Sequence, residues 1–329
     1  MTSDDAATPE CGPGPATPED AVGAAALEPT LQSIPPQSIP GRPSAKPPRE
    51  VIYRHTLVVR LTHWINLFCI ALLLMSGLQI FNAHPRLYWG QYGADHDKAF
   101  IEVLAMGSDM DHLHGVTRIA GHPFDTTGVL GVSSGADHTL VPRGFPRWAT
   151  LPSFQDLAVG RRWHFALAWL FVINGLIYLA FGLFNRHFSR DLAPTRAQLR
   201  PSHILKDIWD HMRLKHPRGE VAKSYNVLQK FAYLAVVFGL LPLMLLTGLT
   251  MSPGVDAVLP GLLDLFGGRQ SARTLHFLSA SGIVLFVLVH VVEVLLAGVI
   301  NEIRSMITGR YVVPPEIRHA ETSHQGANP

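Results

Sequence analysis

The chain has 329 residues and a net charge of +2, and 47% of its residues are hydrophobic while only 16% are charged. The apolar residues are concentrated in four long runs, which indicates a membrane protein, and the near-neutral charge favours no nucleic-acid partner. The two cysteines, Cys11 and Cys69, form no CxxC or CxxCH motif. This excludes covalently attached c-type haem, thiolate zinc sites and cysteine-ligated iron–sulfur clusters.

The first 49 residues are rich in proline, alanine, serine and glycine. They contain no apolar run long enough for the core of a signal peptide, since "AVGAAAL" is short and is flanked by acidic residues. This composition predicts a disordered cytoplasmic tail over residues 1–49. The first membrane span, uncleaved, would then direct insertion.

Each of the four apolar runs is long enough to cross a hydrocarbon core of ~30 Å, which takes a helix of about 20 residues. They are Leu57 to Phe81, Trp163 to Phe184, Phe231 to Met251 and Leu275 to Ile300. None alternates polar and apolar residues as the strands of a membrane barrel do. The sequence therefore predicts an all-α membrane protein, a four-transmembrane-helix bundle within residues 50–310. Pro242 predicts a kink in the third span.

Basic residues cluster between the second and third spans, and the positive-inside rule places this loop, residues 185–228, in the cytoplasm. The cluster comprises Arg186, Arg190, Arg196, Arg200, Lys206, Arg213, Lys215, Arg218, Lys223 and Lys230. Basic residues before the first span and after the fourth agree, so both termini, including a tail at 311–329, are expected in the cytoplasm. Apolar residues at helical spacing between Ile204 and Met212 predict a short interfacial helix whose basic residues face lipid headgroups.

Four of the 17 histidines lie within or at the edge of a span: His63 in the first, His164 in the second, and His276 and His290 in the fourth. A single histidine on an apolar helix is usually a satisfied core or interfacial residue, but polar groups in hydrocarbon are costly enough to suggest function. Fourteen residues separate His276 from His290. They therefore project from nearly the same helix face, about 21 Å apart along the axis.

The direction of each span sorts these histidines into two depths, with His164 and His276 near the outer surface and His63 and His290 near the cytoplasmic one. Two neutral imidazoles can occupy both axial positions of a haem iron. A zinc or copper ion would need further ligands at the same depth, and the spans offer few. The sequence thus favours two bis-histidine haem b sites stacked across the membrane.

Three of the four histidines follow an arginine by three residues: Arg60, Arg161 and Arg273. An arginine one turn nearer the surface could pair with a haem propionate. Alternatively, these arginines extend their charged ends to the membrane surface, or their charge sets the topology of the spans. One glycine in each span either admits the macrocycle close to the backbone or serves helix packing; these are Gly77, Gly175, Gly248 and Gly282.

Three segments carry a resemblance to a known family: "VVRLTHWIN" opening the first span, "RRWHFALAW" opening the second, and "HFLSASGIVLFVLVHVVEV" in the fourth. They resemble the four-helix di-haem cytochrome b subunits, of the prokaryotic cytochrome b-561 type, of nickel–iron hydrogenase, formate dehydrogenase and thiosulfate reductase. The resemblance covers roughly residues 50–310. It implies His63, His164, His276 and His290 as the axial ligands of two haems, in the pairs that depth indicates.

The resemblance also implies a function: electron transfer in a bacterial plasma membrane between the quinone pool and a partner redox subunit of a respiratory chain. In many relatives quinone is handled near the cytoplasmic haem. Glu293, one turn beyond His290, and His55 and Arg60, before His63, are therefore candidates for proton exchange or quinone contact. Glu293 could instead pair with Arg60 or another base.

The chain departs from compact relatives in the loop between the first two spans, residues 82–162, which is much longer than theirs. Its aromatic, glycine and proline content predicts an ordered cap. We expect this periplasmic cap to dock a redox enzyme over the outer haem, of the molybdopterin type by analogy with the family. Within it, "DMDHLHG" offers Asp109, Asp111, His112 and His114, for which a solvated polar turn is favoured over a metal site.

Two alternatives come from other classes of protein. A standalone di-haem oxidoreductase could act directly on quinone, for example from superoxide to quinone, although a small diffusible substrate needs no docking cap. A histidine-lined proton or metal permease would bind no haem. Nothing in the sequence resembles a nucleophile, an open metal site or a nucleotide motif, so we expect substrate chemistry to belong to the partner.

Overall fold

A computed structural model of the chain describes residues 50–94, 96–108, 112–137, 139–186, 188, 193–213 and 227–313. The predicted disordered tail over residues 1–49 lies outside these ranges, as does all but the start of the predicted tail at 311–329. Four helices are long and apolar enough to cross a membrane: Leu57–Phe81, Leu157–Phe184, Val227–Thr250 and Arg269–Thr308. The four predicted spans and the helical bundle are confirmed.

The described residues form eight α-helices and eight short strands. The helices are α1 (Leu57–Phe81), α2 (Leu157–Phe184), α3 (Pro201–Met212), α4 (Val227–Ala235), α5 (Leu241–Thr250), α6 (Pro253–Val258), α7 (Pro260–Leu265) and α8 (Arg269–Thr308). The strands are β1 (Val51–Tyr53), β2 (Arg86–Leu87), β3 (Ile101–Met106), β4 (His114–Ile119), β5 (His122–Asp125), β6 (Gly131–Ser134), β7 (Leu140–Arg143) and β8 (Arg310–Val312). Helix α3 coincides with the predicted interfacial helix.

The first two spans pack along each other. Helix α2 begins before the predicted Trp163 because the Asp156 carboxylate caps it, accepting a hydrogen bond of 2.9 Å from the Val159 amide. Between the helices, the buried amide of Asn174 donates to the Thr62 carbonyl at 2.9 Å and to the Asn66 side chain at 2.7 Å. This polar clamp fixes α1 against α2 inside an apolar layer.

The third span is not a regular α-helix along its length. A π-helical segment, Val236–Leu240, separates α4 from α5 and ends just before Pro242. Proline has no amide hydrogen and its ring crowds the carbonyl one turn earlier, so the helix widens there. The sequence predicts a kink at Pro242, and the structure has a π-helical segment directly before it.

The fourth span, α8, packs along α5 and has 40 residues, or about 60 Å of helix, which is twice the thickness of a hydrocarbon core. It continues past the predicted end at Ile300. Its backbone leaves helical geometry at Gly298, where φ is 110° and ψ is 81°. A residue with a side chain rarely adopts this positive φ, so glycine allows the last turns to take a new direction.

The segment between α1 and α2 is the ordered cap expected from its composition, and it is built of antiparallel strands. β2, β3, β4 and β5 form one sheet in that order, and β6 pairs with β7 in a hairpin. Its small core of Phe81, Leu87 and Val103 also packs against Phe277 of α8. We call the membrane side that carries the cap the outer side.

The two ends of the four-helix domain meet on the opposite, inner side. β1 pairs with β8 in an antiparallel clip, with Val51 opposite Val312 and Tyr53 opposite Arg310. Both the start of α1 and the end of α8 therefore lie on the same side, as the predicted even number of crossings requires. The first residues of the predicted C-terminal tail belong to this clip.

The clip is closed by side chains as well as strands. Arg54 lies 3.7 Å from the Glu302 carboxylate and places its guanidinium 4.5 Å from the centroid of the Tyr311 ring. Burial, followed by the charge of Glu302, raises the pKa of the Tyr311 phenol. The phenol therefore stays protonated at neutral pH and serves as a hydrogen-bonding group of the clip.

The cap is attached to the helices through the buried side chain of Arg143. Its guanidinium donates to the carbonyls of Phe145 at 2.7 Å and Ser153 at 2.8 Å, and to the side chains of Gln79 at 3.1 Å and Thr150 at 2.6 Å. Burial lowers the pKa of Arg143, but arginine keeps its charge at any physiological pH. This one cation thus joins the end of α1 to the last part of the cap.

We predict that Arg143→Met loosens the cap. Methionine has no hydrogen-bond donor, so the buried acceptors of the Arg143 guanidinium lose their partner. Each unsatisfied group costs about 1–3 kcal/mol. Limited proteolysis between residues 82 and 156 should therefore become at least about tenfold faster, since about 1.4 kcal/mol corresponds to a factor of ten.

The matched control is Arg118→Met. Its 2.8 Å ion pair with Glu102 is partly open to solvent, and exposed pairs contribute only about 0–1 kcal/mol. Equal cleavage rates in the two variants would contradict the role given to Arg143.

Candidate functional site

The structure brings the four membrane histidines together in two pairs. His164 of α2 and His276 of α8 form the outer pair, with ring centroids 6.3 Å apart. His63 of α1 and His290 of α8 form the inner pair, with ring centroids 6.2 Å apart. Helix α8 is uninterrupted between its two histidines, so the pairs are about 21 Å apart along the axis.

These separations suit two imidazoles bound to opposite sides of one metal ion. With a metal–nitrogen distance of about 2.0–2.1 Å, the ligating nitrogens are about 4 Å apart and the ring centroids about 6 Å apart. In the described part of the chain, neither pair belongs to a group of three or more histidine, cysteine or acidic side chains that could hold a metal ion. A haem supplies the four remaining nitrogens itself, so the donor set fits haem better than a bare ion.

The Nδ1 atoms of the outer pair are held by groups from α1 and α5. His276 Nδ1 lies 3.1 Å from the Met244 carbonyl and 3.2 Å from the Thr247 hydroxyl. His164 Nδ1 lies 3.1 Å from the Ser76 hydroxyl and also contacts the Leu73 carbonyl. The third span, which has no histidine, therefore contributes to the site through Thr247.

These contacts determine which ring nitrogen carries the proton. A carbonyl only accepts, so the Nδ1 atom of His276 donates to Met244. The Ser76 hydroxyl donates its single hydrogen to the backbone of its own helix, at 2.8 Å from the Leu72 carbonyl, and therefore accepts from His164 Nδ1. Each Nε2 atom keeps its lone pair and is the nitrogen available to a metal.

Two of the four span glycines lie directly against these rings. A Cβ atom on Gly77 would be 3.3 Å from His164 Cε1, and one on Gly248 would be 3.3 Å from His276 Cε1. Such a distance is tighter than most real Cβ contacts. These glycines therefore make room for the imidazoles. A Cβ on Gly175 would meet nothing within 4 Å, and one on Gly282 would meet Leu240.

The inner pair is surrounded by aromatic rings. Phe286 stacks on His290 with centroids 6.0 Å apart and planes 11° apart, and Trp64 meets His63 edge-on at 5.6 Å. The Trp64 indole donates to the Met306 carbonyl at 3.1 Å, which ties α1 to the end of α8. Glu293 is half-buried and close enough for its charge to act on His290.

The three arginines that precede the histidines have different surroundings. Arg60 donates to the Ile307 carbonyl, and Arg273 donates to the His84 carbonyl at the base of the cap. Arg161 is exposed, with its guanidinium 5.7 Å from the Phe165 ring. The structure thus places Arg60 and Arg273 within the fold and Arg161 on its surface.

Two buried hydrogen-bond donors near the ends of the spans lack a partner among the described residues: Arg60 Nε and the Tyr88 hydroxyl. Tyr88 is almost completely buried and lies beside Arg273, and its carbonyl accepts from Thr274 at 2.6 Å. Unsatisfied buried groups in a native fold call for a missing partner. The carboxylates of a haem would fit both positions, one at each side of the membrane.

Two sets of candidate residues remain: His55 and the residues of "DMDHLHG". His55 is in the turn between β1 and α1, where its amide contacts the Gly309 carbonyl at 3.4 Å. His114 lies in β4 and His112 just before it, whereas Asp109 and Asp111 lie outside the described residues. The metal site considered for "DMDHLHG" therefore remains untested.

Ser76, Thr247 and Tyr88 were not recognised from the sequence as site residues. A serine or threonine in a membrane helix usually bonds to its own backbone, and both hydroxyls do so here. The available signal was a shared pattern, a hydroxyl residue followed by glycine in the first and third spans. Tyr88 has no comparable signal because the cap alone positions it.

Comparison with known proteins identifies a family and a relative of the chain. The profile of the family described as prokaryotic cytochrome b561 matches residues 54–309. The chain is also 27% identical over 248 residues to a protein of Azospira oryzae that is provisionally named protein-methionine-sulfoxide reductase subunit YedZ1. This match covers 75% of the chain and 93% of that relative. No solved structure matches the chain.

We predict that Gly248→Val displaces the His276 ring. Its Cβ would meet His276 Cε1 at 3.3 Å, and the two additional methyl groups leave the ring less room still. If the outer pair holds one of two haems, the reduced-minus-oxidised b-type absorbance per protein should fall by about half.

Ala180→Val is the control, since it adds two methyl groups to a membrane helix at an exposed position. This variant should keep its full absorbance. Equal losses in both variants would contradict the contact between Gly248 and the site.

Proposed function

The chain belongs to the prokaryotic cytochrome b561 family, and we propose that it transfers electrons across a bacterial plasma membrane between quinone and a redox enzyme on the outer side. The observation that carries this proposal is the pair of facing imidazoles at each of two depths, 6.2 and 6.3 Å between centroids. When bound, a bis-imidazole haem b exchanges single electrons and has no open position for a substrate.

In this proposal His63 and His290 are the axial ligands of an inner haem, and His164 and His276 those of an outer haem. Protonated Nδ1 atoms on the outer pair support it, because they leave Nε2 free to ligate. Arg60 at the inner end, and Arg273 with Tyr88 at the outer end, would pair with the propionates. Arg161, which is exposed, would instead act as a topology-setting charge.

The orientation is part of the proposal. The basic residues of the loop at 185–228 and those near both ends favour a cytoplasmic location for both termini. The cap then lies in the periplasm. The β1–β8 clip supports the placement of both ends on one side.

We propose that the cap docks the partner enzyme above the outer pair. It presents large exposed aromatic side chains, including Trp89 at 50%, Tyr92 at 83% and Trp148 at 79% exposure, of the type enriched at protein interfaces. Similarity to a protein named as a sulfoxide reductase subunit favours a partner that receives electrons, and family analogy favours a molybdopterin enzyme. Electrons would then flow from quinol on the inner side to this partner.

The decisive experiment is a redox difference spectrum of the purified chain with its haem content. We expect two haem b per chain, and we expect His63→Ala and His164→Ala each to remove one haem while the other remains. Protein without b-type bands would reject the haem proposal and favour a histidine-lined permease. Rapid quinone turnover with a small oxidant, in the absence of a partner, would favour a standalone enzyme.

Glu293 is the proposed proton group for quinone, because it lies beside His290 on the inner side. We predict that Glu293→Gln slows quinol oxidation severalfold, since the amide cannot accept a proton, while both haem spectra stay unchanged. Stopped-flow reduction of the haems by a quinol analogue measures this rate.

Glu302→Gln is the control, because Glu302 belongs to the clip with Arg54 and Tyr311. Its quinol oxidation rate should match that of the unaltered protein. Unchanged quinol oxidation in Glu293→Gln would remove Glu293 from the mechanism.

A further inference from the structure

The outer pair is held by two copies of one short sequence pattern. Residues 72–78 of α1 read "LLLMSGL" and residues 243–249 of α5 read "LMLLTGL". In each copy the hydroxyl residue donates to the two carbonyls one turn earlier. Ser76 lies 2.8 and 3.1 Å from those carbonyls, and Thr247 lies 2.6 and 3.2 Å from them.

Each copy makes the same three contacts with one histidine of the neighbouring helix. A carbonyl and a hydroxyl three residues later face Nδ1, and a glycine one residue further faces Cε1. In α1 these are Leu73, Ser76 and Gly77 around His164. In α5 they are Met244, Thr247 and Gly248 around His276. We call each set of three an Nδ1 socket.

The inner pair has no such socket. Among the residues that the structure describes, no hydrogen bond reaches the imidazole of His63 or His290, and aromatic rings flank both. The two sites therefore differ in the hydrogen bonding of their imidazoles. The outer imidazoles have acceptors for their Nδ1 protons, and the inner ones have aromatic neighbours.

We propose that the two Nδ1 sockets make the outer histidines stronger electron donors and thereby lower the reduction potential of the outer haem selectively. This inference rests on the proposed function, because it requires haem at the outer pair. An acceptor on the Nδ1 hydrogen raises the basicity of the ligating Nε2 atom. A more basic ligand stabilises ferric over ferrous iron, and such hydrogen bonding is one of the means by which a protein adjusts haem potential. Ser76 and Thr247 are thus positioning residues that act through the ligands.

The test is a redox titration of the two b haems in the purified full-length protein, with Thr247→Val and Ser76→Ala. Each change removes one of two acceptors from one outer histidine and leaves the carbonyl. The potential of the outer haem should shift upward in each variant and farther in the double variant, because the two sockets contact different histidines. The outer haem is identified as the one missing from His164→Ala.

Two further variants separate hydrogen bonding from packing. Thr250→Val removes a buried hydroxyl of the same helix whose one hydrogen bond among the described residues goes to the Thr247 carbonyl, at 2.7 Å. This change should leave both potentials unchanged. Thr247→Ser restores the hydroxyl and should restore the original potential. If Thr247→Val loses the outer haem altogether, its retention in Thr247→Ser supports the proposal, and its loss there overturns it.

An unchanged outer potential in the double variant overturns the inference, as does an equal shift of both haems. The proposed function has its own readout, since it fails if the unaltered protein binds no haem. A protein with two normal haems and unresponsive variants would therefore reject the Nδ1 sockets and leave the electron-transfer function intact.

Discussion

The structure depends on how an imidazole is accommodated inside hydrocarbon. A buried neutral histidine has one donor and one acceptor, and leaving either without a partner costs free energy. The outer histidines place their Nδ1 atoms on carbonyl and hydroxyl groups of α1 and α5. Their Nε2 atoms are left to a group between the helices. This requirement explains why all four spans, including the one without a histidine, converge on the site.

The outer end of the fold, which carries the cap, is built on the same helices that hold the outer pair. Arg143 joins the cap to Gln79 near the end of α1, and the Asn82 side chain accepts from the Phe145 amide at 2.6 Å. At the start of α8, Thr274 donates to the Tyr88 carbonyl, two residues before His276. A partner bound to the cap would therefore be in fixed register with the outer pair, as electron transfer at a defined distance requires.

Hydropathy and the parity of the spans were enough to predict the four helices and to group the histidines by depth, because both follow from the one-dimensional pattern. The Nδ1 sockets could not be predicted in the same way. Ser76 and Thr247 belong to different spans, and only the packing of α1 on α2 and of α5 on α8 brings them to the rings. The strands of the cap were also missed, since glycine and proline interrupt any regular alternation between residues 82 and 162. The length of α8 was underestimated because Gly298 allows a helix to continue beyond the membrane with a changed direction.

The inner pair is surrounded by aromatic rings rather than by hydrogen-bond acceptors. This difference distinguishes the outer end of the molecule from the inner end. There the spacing of His63 and His290 depends on the contact between the start of α1 and the end of α8, which Trp64 and the β1–β8 clip maintain. Aromatic rings then fill the space around the imidazoles. In the proposed function, this inner site would exchange electrons with an apolar carrier from the bilayer, and the hydrogen-bonded outer site under its cap would exchange them with a docked protein. Two chemically similar histidine pairs would in this way serve the two proposed redox partners, because the protein differs around them rather than in the histidines themselves.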